Sequence, residues 1–328
     1  MRHHTVRFFA AVFLFAVFSA TIGAVWVWRS YNSAGPLQTT ARLVVQKGAA
    51  LQEIASSLAN KGIINSVQIF VLGAHFTGLA RSMQAGEFAL APKMSMRGVT
   101  EHLARGQPVI RRFTVPEGLL TQEILGLLRN TEGLVGKVPA GLPEGEFLPE
   151  TYFFTLGDTR SSLLRRMRSA MDSAIMEIWA RRAAEIHVKT PKEAVILASL
   201  IEKETGQASE RYRVSGVFHN RLRKGMRLQS DPTVAYALTG GVTPLRRFLT
   251  RKDLQINSLY NTYRVSGLPP GAITNPGRAA LEAAVKPQQS KELFFVSDGK
   301  GGHIFAETLH QHNRNVADWR RLKQKFAP

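Results

Sequence analysis

The first apolar stretch of the chain covers residues 8–28 and contains no charged side chain. At about 1.5 Å per residue, its 21 residues form a helix long enough to cross a hydrocarbon core of about 30 Å. Arg2 and Arg7 precede the stretch, and Arg29 is the first charge after it. Because positive charges favour the cytoplasmic side, we predict a cytoplasmic tail over residues 1–7, a single transmembrane helix over residues 8–28, and the remainder outside the inner (plasma) membrane.

A cleaved signal peptide is the alternative interpretation of this stretch. The apolar region of a signal peptide usually has about 7–15 residues and precedes a small-residue cleavage site. The stretch here is longer, and no clear Ala-x-Ala site follows it. A permanent anchor is therefore favoured.

The next segment, residues 29–40, is polar and small and is interrupted by Gly35 and Pro36, so it predicts a linker. A folded unit is expected after it. Apolar residues at 43–45 indicate a short strand, and apolar positions spaced i, i+3, i+4 and i+7 indicate one face of a helix. That face consists of Leu51, Ile54, Ala55 and Leu58.

This pattern occurs twice. VVQKGAALQEIASSLAN, at residues 44–60, shares Val, Gly, Gln-Glu-Ile, Leu and Asn at matching offsets with TVPEGLLTQEILGLLRN, at residues 114–130. The recurrence predicts a repeated strand–turn–helix unit. Two unrelated β–α units that use a common turn remain the alternative.

The rest of the chain has a mixed pattern. A strand is predicted over residues 112–115, an amphipathic helix from Thr121, and a long helical region over about residues 160–185. We therefore predict an α+β protein with a small first domain at residues 41–108 and a larger mixed α/β domain at residues 109–328.

The segment PKEAVILASLIEKETG predicts a buried helix that ends at Thr205 and carries two glutamates, Glu202 and Glu204, in its last turn. Pro191 suits the first turn, and Gly206 suits the positive φ that is common just after a helix. On a helical wheel, Glu204 lies over the most apolar stripe and Glu202 over a less apolar one. The apolar stripe consists of Leu197, Leu200 and Ile201.

Glu204 is accordingly the acid predicted to lie in an apolar wall. Burial and the negative end of the helix dipole both raise the pKa of such a carboxyl. A carboxyl that stays protonated near neutral pH is what a general acid requires. The alternative is that both glutamates are ordinary polar residues at a helix end, satisfied by Lys203 or Arg211.

Two later segments, LQSDPTVAY and NSLYNTYRVSGLPPGAITNPG, combine polar side chains with Gly and Pro. Tyrosines and amides on rigid turns suit sugar recognition by stacking and hydrogen bonding. Packing within a turn explains any single one of them equally well. With Glu202 as a supporting group, the predicted substrate-binding residues are Gln229, Ser230, Asp231, Tyr260, Asn261 and Tyr263.

Charge and composition narrow the partners. Lys and Arg number 43 against 24 acidic residues, a formal charge of +19, which attracts nucleic acid, anionic lipid or an anionic wall polymer. The predicted anchor and the lack of a recognisable nucleic-acid-binding motif favour the last two and argue against nucleic acid. The absence of cysteine excludes disulfides, thiol catalysis and thiolate metal sites, and no cofactor is expected.

In order and spacing, the blocks EKET, ASER, VFHNRL, GMRLQSDPTV, YNTY, GLPPGAITNPG and FFVSDGKGGHIF resemble the MltG (YceG-like) endolytic murein transglycosylases. The resemblance extends from Ala41 to the C-terminus, and FLPETYFF also fits it. Leu259 and Gln311 stand where that family commonly has proline and glutamate. Val-x-x-Gly followed by an amphipathic helix also resembles the LysM module, a βααβ unit that binds N-acetylglucosamine polymers.

The family resemblance implies an inner-membrane enzyme with a LysM-like subdomain and a YceG-like catalytic domain that cuts peptidoglycan glycan strands internally. Glu204 aligns with the family's catalytic glutamate. In such a reaction one carboxyl performs both proton transfers and leaves a 1,6-anhydro end. Penicillin-binding protein synthases are the partners that this setting implies.

Three alternatives stay open from the residues alone. A hydrolytic muramidase would need a second carboxylate, for which Asp231, Glu202 and Glu210 are the nearby acids. A LysM-type wall-binding protein would need no catalysis. A metal site is disfavoured because the spacing of His303, His310 and His312 matches no common zinc pattern.

Overall fold

The computed structural model describes residues 2–325. They form two compact units: a first unit within Met1–Arg111 that also includes Thr155–Gly157, and a second unit that contains the other described residues. The fold is mixed α and β, as predicted. The elements of the first unit, in chain order, are α1 (Arg2–Asn32), β1 (Ala41–Val45), α2 (Leu51–Asn60), α3 (Val67–Phe76), β2 (Gly86–Leu90) and α4 (Met96–Arg105).

The second unit is the larger and is dominated by helices. Its strands form two-stranded sheets, β3 with β4 and β5 with β6. Its elements, in chain order, are β3 (Arg111–Thr114, which begins at the unit boundary), α5 (Thr121–Asn130), β4 (Thr151–Phe154), α6 (Arg160–Ala180), α7 (Pro191–Glu204), α8 (Arg211–Arg223), α9 (Asp231–Thr239), α10 (Arg278–Val285), β5 (Phe294–Ser297), β6 (His303–Ala306) and α11 (Leu309–Lys325).

Helix α1 contains the predicted anchor. Its segment Ala10–Asn32 is the one stretch among residues 2–325 that is both long and apolar enough to cross a bilayer, and no residue in its most apolar part is buried. The predicted linker at residues 29–40 differs from expectation. Helix α1 continues to Asn32, and Tyr31 and Leu37 are buried in the core of the first unit. Because Tyr31 and Leu37 pack into this core, much of the segment belongs to the first unit.

Tyr31 joins α1 to the rest of the first unit. Its hydroxyl donates a hydrogen bond to Thr100 Oγ1 on α4 at 2.9 Å, and its ring lies against Gly73 on α3. A Cβ atom at Gly73 would come within 2.2 Å of that ring. The absence of a side chain at position 73 thus allows α1 and α3 to approach each other closely.

The predicted strand–turn–helix repeat is present in both units. Strand β1 leads through a turn to α2, and β3 leads to α5, with Gly48 and Gly118 at φ values of 83° and 76° in the two turns. Each helix also begins in the same way. Glu53 accepts the backbone N–H of Ala50, and Glu123 accepts that of Leu120. The shared Gln-Glu-Ile motif therefore encodes the same N-terminal cap twice.

Helix α7 is the centre of the main core of the second unit. Thr190 caps its first turn by accepting the Glu193 N–H, and Pro191 occupies that turn as predicted. Every side chain from Ile196 to Ile201 is buried, so α7 is covered around its circumference, mainly by α10 and also by α6, α8 and α9. A helix of this kind has a polar environment only at its ends.

The C-terminal end of α7 differs in detail from the prediction. The helix ends at Glu204, and Thr205 adopts an extended conformation with φ −135° and ψ 129°. Gly206 does not have the positive φ that was expected. The chain turns away instead through Thr205, whose hydroxyl accepts the Gln207 N–H.

We expect Gly73→Ala to destabilise the first unit by about 1–3 kcal/mol, because the added methyl group overpacks the contact with Tyr31. Thermal unfolding of the detergent-solubilised chain measures the effect. Gly126→Ala on α5 is the matched control, since nothing lies within 4 Å of its Cβ position, and alanine there should be neutral or slightly stabilising. Equal behaviour of the two variants would contradict the close approach.

Candidate active site

Glu204 is the last residue of α7, and its carboxyl meets the loop that precedes α9. The hydroxyl of Ser230 donates a hydrogen bond of 2.5 Å to Glu204 Oε1. Ser230 is only 1% exposed and stands immediately before the first residue of α9. Two residues that the sequence placed in separate motifs are thus in direct contact.

Two buried threonines fix the position of Ser230. The Ser230 N–H donates to Thr262 Oγ1 at 3.0 Å, and Thr233 Oγ1 donates to the Ser230 carbonyl at 2.6 Å. The two threonine hydroxyls also contact each other at 2.9 Å. Sequence reasoning did not select either threonine, although both lie within the motifs that it quoted.

Arg221 holds the other side of the same loop. Its buried guanidinium donates to the carbonyls of Leu228 and Leu293 at 2.8 and 2.6 Å. Gln229, between Leu228 and Ser230, takes a positive φ of 52°, which is uncommon outside glycine. The Gln229 side chain is exposed, with its amide oxygen 3.4 Å from the Arg221 guanidinium. The sequence analysis did not select Arg221.

The environment of Glu204 favours its protonated form. Removal from water, together with the negative charge of Asp231, raises the pKa of this carboxyl to about 7, although the Ser230 hydrogen bond and the charge of Arg221 oppose the shift. Desolvation is the largest effect, because the preceding turns of α7 are buried on all sides. A carboxyl with this pKa can both donate and accept a proton near neutral pH.

Glu202 has a different environment. Its side chain is 6% exposed; its Oε2 accepts the Gly277 N–H at 2.9 Å, and its Oε1 lies 3.7 Å from the Arg211 guanidinium. Burial is the main reason that the pKa of Glu202 is raised. The helical wheel had suggested a less apolar surrounding. Residues from other segments of the chain cover this carboxyl, and a helical wheel drawn for one helix cannot show them.

Asp231 and Tyr263 form a pair beside Glu204. The Tyr263 hydroxyl donates to Asp231 Oδ1 at 2.6 Å, and Asp231 is exposed. Burial and the negative charge of Asp231 raise the pKa of Tyr263 far above its usual range, so its proton stays on the phenol. The structure therefore brings together four of the predicted residues: Glu204, Ser230, Asp231 and Tyr263.

Next to this group is an open cleft of about 320 Å³. Lys203 and Asp231 line it, together with Tyr236, Arg247 and several apolar side chains. Tyr260 packs on Tyr236 with ring centroids 4.8 Å apart and is not among the cleft-lining residues. Tyr236 followed the quoted Asp-Pro motif, but the sequence analysis did not place it among the binding residues.

Asn261 does not fit the predicted role in substrate binding. It is fully buried; its amide nitrogen donates to the carbonyls of Leu254 and Ile256, and its amide oxygen accepts the Tyr263 N–H at 3.0 Å. All of these partners are backbone groups of its own loop. Asn261 therefore shapes the turn that carries Tyr263.

A second buried amide network, absent from the sequence analysis, holds the loop before α10. Asn275 Oδ1 accepts the backbone N–H groups of Gly145 and Phe147, each at 3.1 Å, and its Nδ2 donates to Glu144 at 3.1 Å. Glu144 also accepts the Thr121 N–H at the start of α5, and burial raises its pKa to about 7. These contacts join α5 and the loop that Glu202 holds at Gly277.

Two of the histidines considered for a metal site, His303 and His312, have other partners. His303 Nδ1 lies 2.7 Å from Glu210 Oε2, and the ring of His312 stacks on Phe294 with centroids 5.1 Å apart. Within residues 2–325, no three His, Asp or Glu side chains are arranged to share a metal ion. Glu210 is thus engaged in a contact with His303.

The site has the characteristics of acid–base catalysis by a carboxyl: a desolvated glutamate at a helix end, a hydroxyl bonded to it, and tyrosines and a cleft beside it. The chain belongs to the YceG-like family, whose family model matches residues 43–318. This confirms the resemblance that the sequence motifs indicated.

Relatives of known name are consistent with that membership. The endolytic murein transglycosylase of Bacillus subtilis (strain 168) is 30% identical over 308 residues, which cover 84% of each chain. That of Streptococcus pneumoniae serotype 2 (strain D39 / NCTC 7466) is 28% identical, with 84% of this chain but 57% of that protein covered. A crystal structure of a yceG-like protein from Listeria monocytogenes is 28% identical with a TM-score of 0.53, covering 84% of this chain and 98% of that one.

We predict that Glu204 makes stability pH-dependent. Its pKa of about 7 in the folded chain lies above the ordinary value of 4.5, so its contribution is fully present below pH 4.5 and is lost as the pH rises through about 7. Relative to Glu204→Gln, the wild type should lose about 3 kcal/mol of unfolding free energy over this range. Thermal unfolding at a series of pH values measures the difference.

The exposed Glu132 of the second unit provides the control for this series. Glu132→Gln should follow the wild type at every pH. If the wild type and Glu204→Gln also ran parallel, Glu204 would be no more desolvated than an ordinary surface acid.

Proposed function

We propose that this chain is an endolytic lytic transglycosylase that cleaves the bond between N-acetylmuramic acid and N-acetylglucosamine within peptidoglycan strands, with Glu204 as its catalytic acid and base. The observation that carries the assignment is the Glu204 carboxyl, whose pKa is raised to about 7, next to an open cleft that Lys203 and Asp231 line. Family membership and the names of the relatives support the same reaction.

The chemistry requires one carboxyl to act twice. Protonated Glu204 donates its proton to the glycosidic oxygen as the bond to C1 breaks. The muramyl O6 then attacks C1, and the Glu204 carboxylate takes the proton from O6, leaving a 1,6-anhydro end. A pKa near neutrality suits both steps, and no water is consumed.

The contacts of Glu204 suit the charged intermediate state. When Glu204 is a carboxylate, the Ser230 hydroxyl still donates to it, and Arg221 contributes a positive charge from behind the loop. The first turn of α9 also begins at this point, and a helix N-terminus favours negative charge. We infer that Ser230 orients the carboxyl and that Asp231 and Tyr263 contact the glycan.

A hydrolytic muramidase is the rival reaction. Of the three acids that could serve as its second carboxylate, Glu202 is bonded to Gly277 and Glu210 to His303. Asp231, exposed and bonded to Tyr263, is the one that still offers a carboxylate next to the cleft. Product mass separates the two reactions.

The first unit is proposed to be a LysM-like glycan-binding module. In support, β1, α2, α3 and β2 follow one another in βααβ order, and β1 pairs antiparallel with β2 so that Leu43 faces Phe88. We propose boundaries of 41–108 for this module and 109–328 for the catalytic domain. The arginines at the N-terminus support a cytoplasmic start with both units outside the membrane, where penicillin-binding protein synthases would be neighbours.

We predict that the chain will release fragments ending in 1,6-anhydro-N-acetylmuramic acid from purified glycan strands, each one water lighter than a hydrolysis product. Glu204→Gln should lower turnover by at least a hundredfold, because the amide fills the same space but is not acidic enough to protonate the glycosidic oxygen. Mass spectrometry of the digests provides both measurements.

Glu202→Gln is the matched control, since the same substitution is made two residues earlier on the same helix. Its amide oxygen can still accept the Gly277 N–H, so we expect a loss of less than about tenfold, well below the general-acid effect. Hydrated product ends would favour the muramidase. Normal turnover by Glu204→Gln, or a larger loss from Glu202→Gln, would contradict the assignment of the acid.

For the first unit, we predict that deletion of residues 41–107 will reduce activity at low glycan concentration much more than at saturation. The catalytic groups all lie in the second unit, so the deletion should remove capture and leave the chemistry. Raising the salt from 0.1 M to 1 M shortens the Debye length from about 10 Å to about 3 Å. We expect this change also to reduce the activity of the intact chain at low glycan concentration more than at saturation. Complete inactivity of a folded deletion variant at saturation would contradict this division.

A further inference from the structure

The first unit contains an apolar groove that plays no part in the proposed reaction. It has a volume of about 560 Å³ and lies between the C-terminal part of α1 and helix α3. Gly23, Val27 and Trp28 line it from α1, and Leu72 and Phe76 line it from α3. We refer to it as the α1–α3 groove. Its size is within the range of sites that bind small organic ligands.

The wall formed by α1 indicates what surrounds the groove. All of its lining residues on α1 belong to the span Ala10–Asn32, which is apolar and long enough to cross a bilayer. A groove with one side on that span opens to lipid at the level of Gly23 to Trp28. The groove is thus continuous with the membrane-facing surface of the chain.

Helix α3 presents a second apolar surface at the same place. Phe76 is 91% exposed and Leu72 is 51% exposed, an unusual arrangement for two large apolar side chains one helical turn apart on a surface in contact with water. The ten residues of α3 are too few to cross a bilayer. They are sufficient for a helix that lies in the interface with its apolar side in the acyl region.

The depth of α3 relative to α1 is fixed by contacts already described. Tyr31 packs on Gly73 and donates to Thr100, so α1, α3 and α4 are joined at one buried residue. An anchored α1 consequently holds Phe76 beside the span.

A positive charge completes the groove. Arg97 on α4 also lines it, and its side chain is 56% exposed although it pairs with Glu101 at 2.9 Å. A guanidinium can bind a phosphate through two hydrogen bonds at once. The overall charge of +19 also favours an anionic surface.

We propose that the α1–α3 groove binds an acyl chain of an anionic glycerophospholipid, with Phe76 and Leu72 in contact with the chain and Arg97 in contact with the phosphate. The first unit is thereby held against the bilayer by α3 as well as by the anchor. This inference concerns the membrane and does not depend on the reaction that the second unit performs.

The test uses the full chain reconstituted into vesicles. Because the sequence contains no cysteine, Phe76→Cys introduces a single labelling position for an environment-sensitive bimane fluorophore. Gln52→Cys, at an exposed position on α2 outside the groove lining, is the matched control. We expect phospholipids with brominated acyl chains to quench the label at position 76 strongly and the label at position 52 weakly.

The lipid headgroup is tested in the same vesicles. Brominated phosphatidylglycerol should quench the label at position 76 at concentrations about fivefold lower than brominated phosphatidylcholine, the effect of about one basic contact. Adding Arg97→Gln should remove this preference and leave the quenching by either lipid. Loss of the preference with retained quenching separates the phosphate contact from the acyl contact.

Three results would contradict the proposal. A label at position 76 that is as exposed to water as the one at position 52 would place α3 outside the bilayer. A label in an apolar environment that brominated chains cannot quench would show that a protein segment, such as a second copy of the chain, occupies the groove. An unchanged preference for phosphatidylglycerol in Arg97→Gln would exclude Arg97 as the phosphate contact.

Discussion

The proposed chemistry depends on one hydrogen bond, from the Ser230 hydroxyl to the Glu204 carboxyl at 2.5 Å. Glu204 is delivered to that point by α7, whose buried sides leave a polar environment only at the helix end. Ser230 is delivered by a loop that Thr262, Thr233 and Arg221 hold through hydrogen bonds to its backbone. The site therefore forms where the end of a buried helix contacts a loop that hydrogen bonds hold in place.

The pKa of Glu204 follows from the balance of effects at this meeting. Desolvation raises it, and Asp231 adds a smaller effect of the same sign, whereas Ser230 and Arg221 favour the carboxylate. If desolvation acted alone the group would remain a poor base, and if the hydrogen bond dominated it would be a poor acid. A value of about 7 permits both proton transfers of a transglycosylase that uses no second carboxylate.

The sequence predicted the elements of this site better than their partners. The first-turn proline of α7 and the apolar stripe below Glu204 follow from local patterns, and the structure confirms them, whereas the helix ends at Glu204, one residue before the predicted end. Asn261 and Glu202 show what such patterns cannot decide. Both have polar side chains in conspicuous motifs. Asn261 nevertheless bonds to the backbone of Leu254 and Ile256, and Glu202 bonds to the backbone of Gly277. No sequence pattern identifies these partners in advance. Thr262 was missed because a threonine within a motif gives no signal until its contact with Ser230 is known.

The central claim is that Glu204 is protonated over much of the neutral range because of its surroundings. The most direct test is carbon-13 NMR titration of the full chain with labelled glutamate side-chain carboxyls, in which the signal missing from Glu204→Gln is assigned to Glu204. The structure predicts a midpoint at about pH 7. A midpoint at or below the ordinary value of 4.5 would show that the carboxyl is ionised at neutral pH and would contradict its role as the acid that starts the reaction.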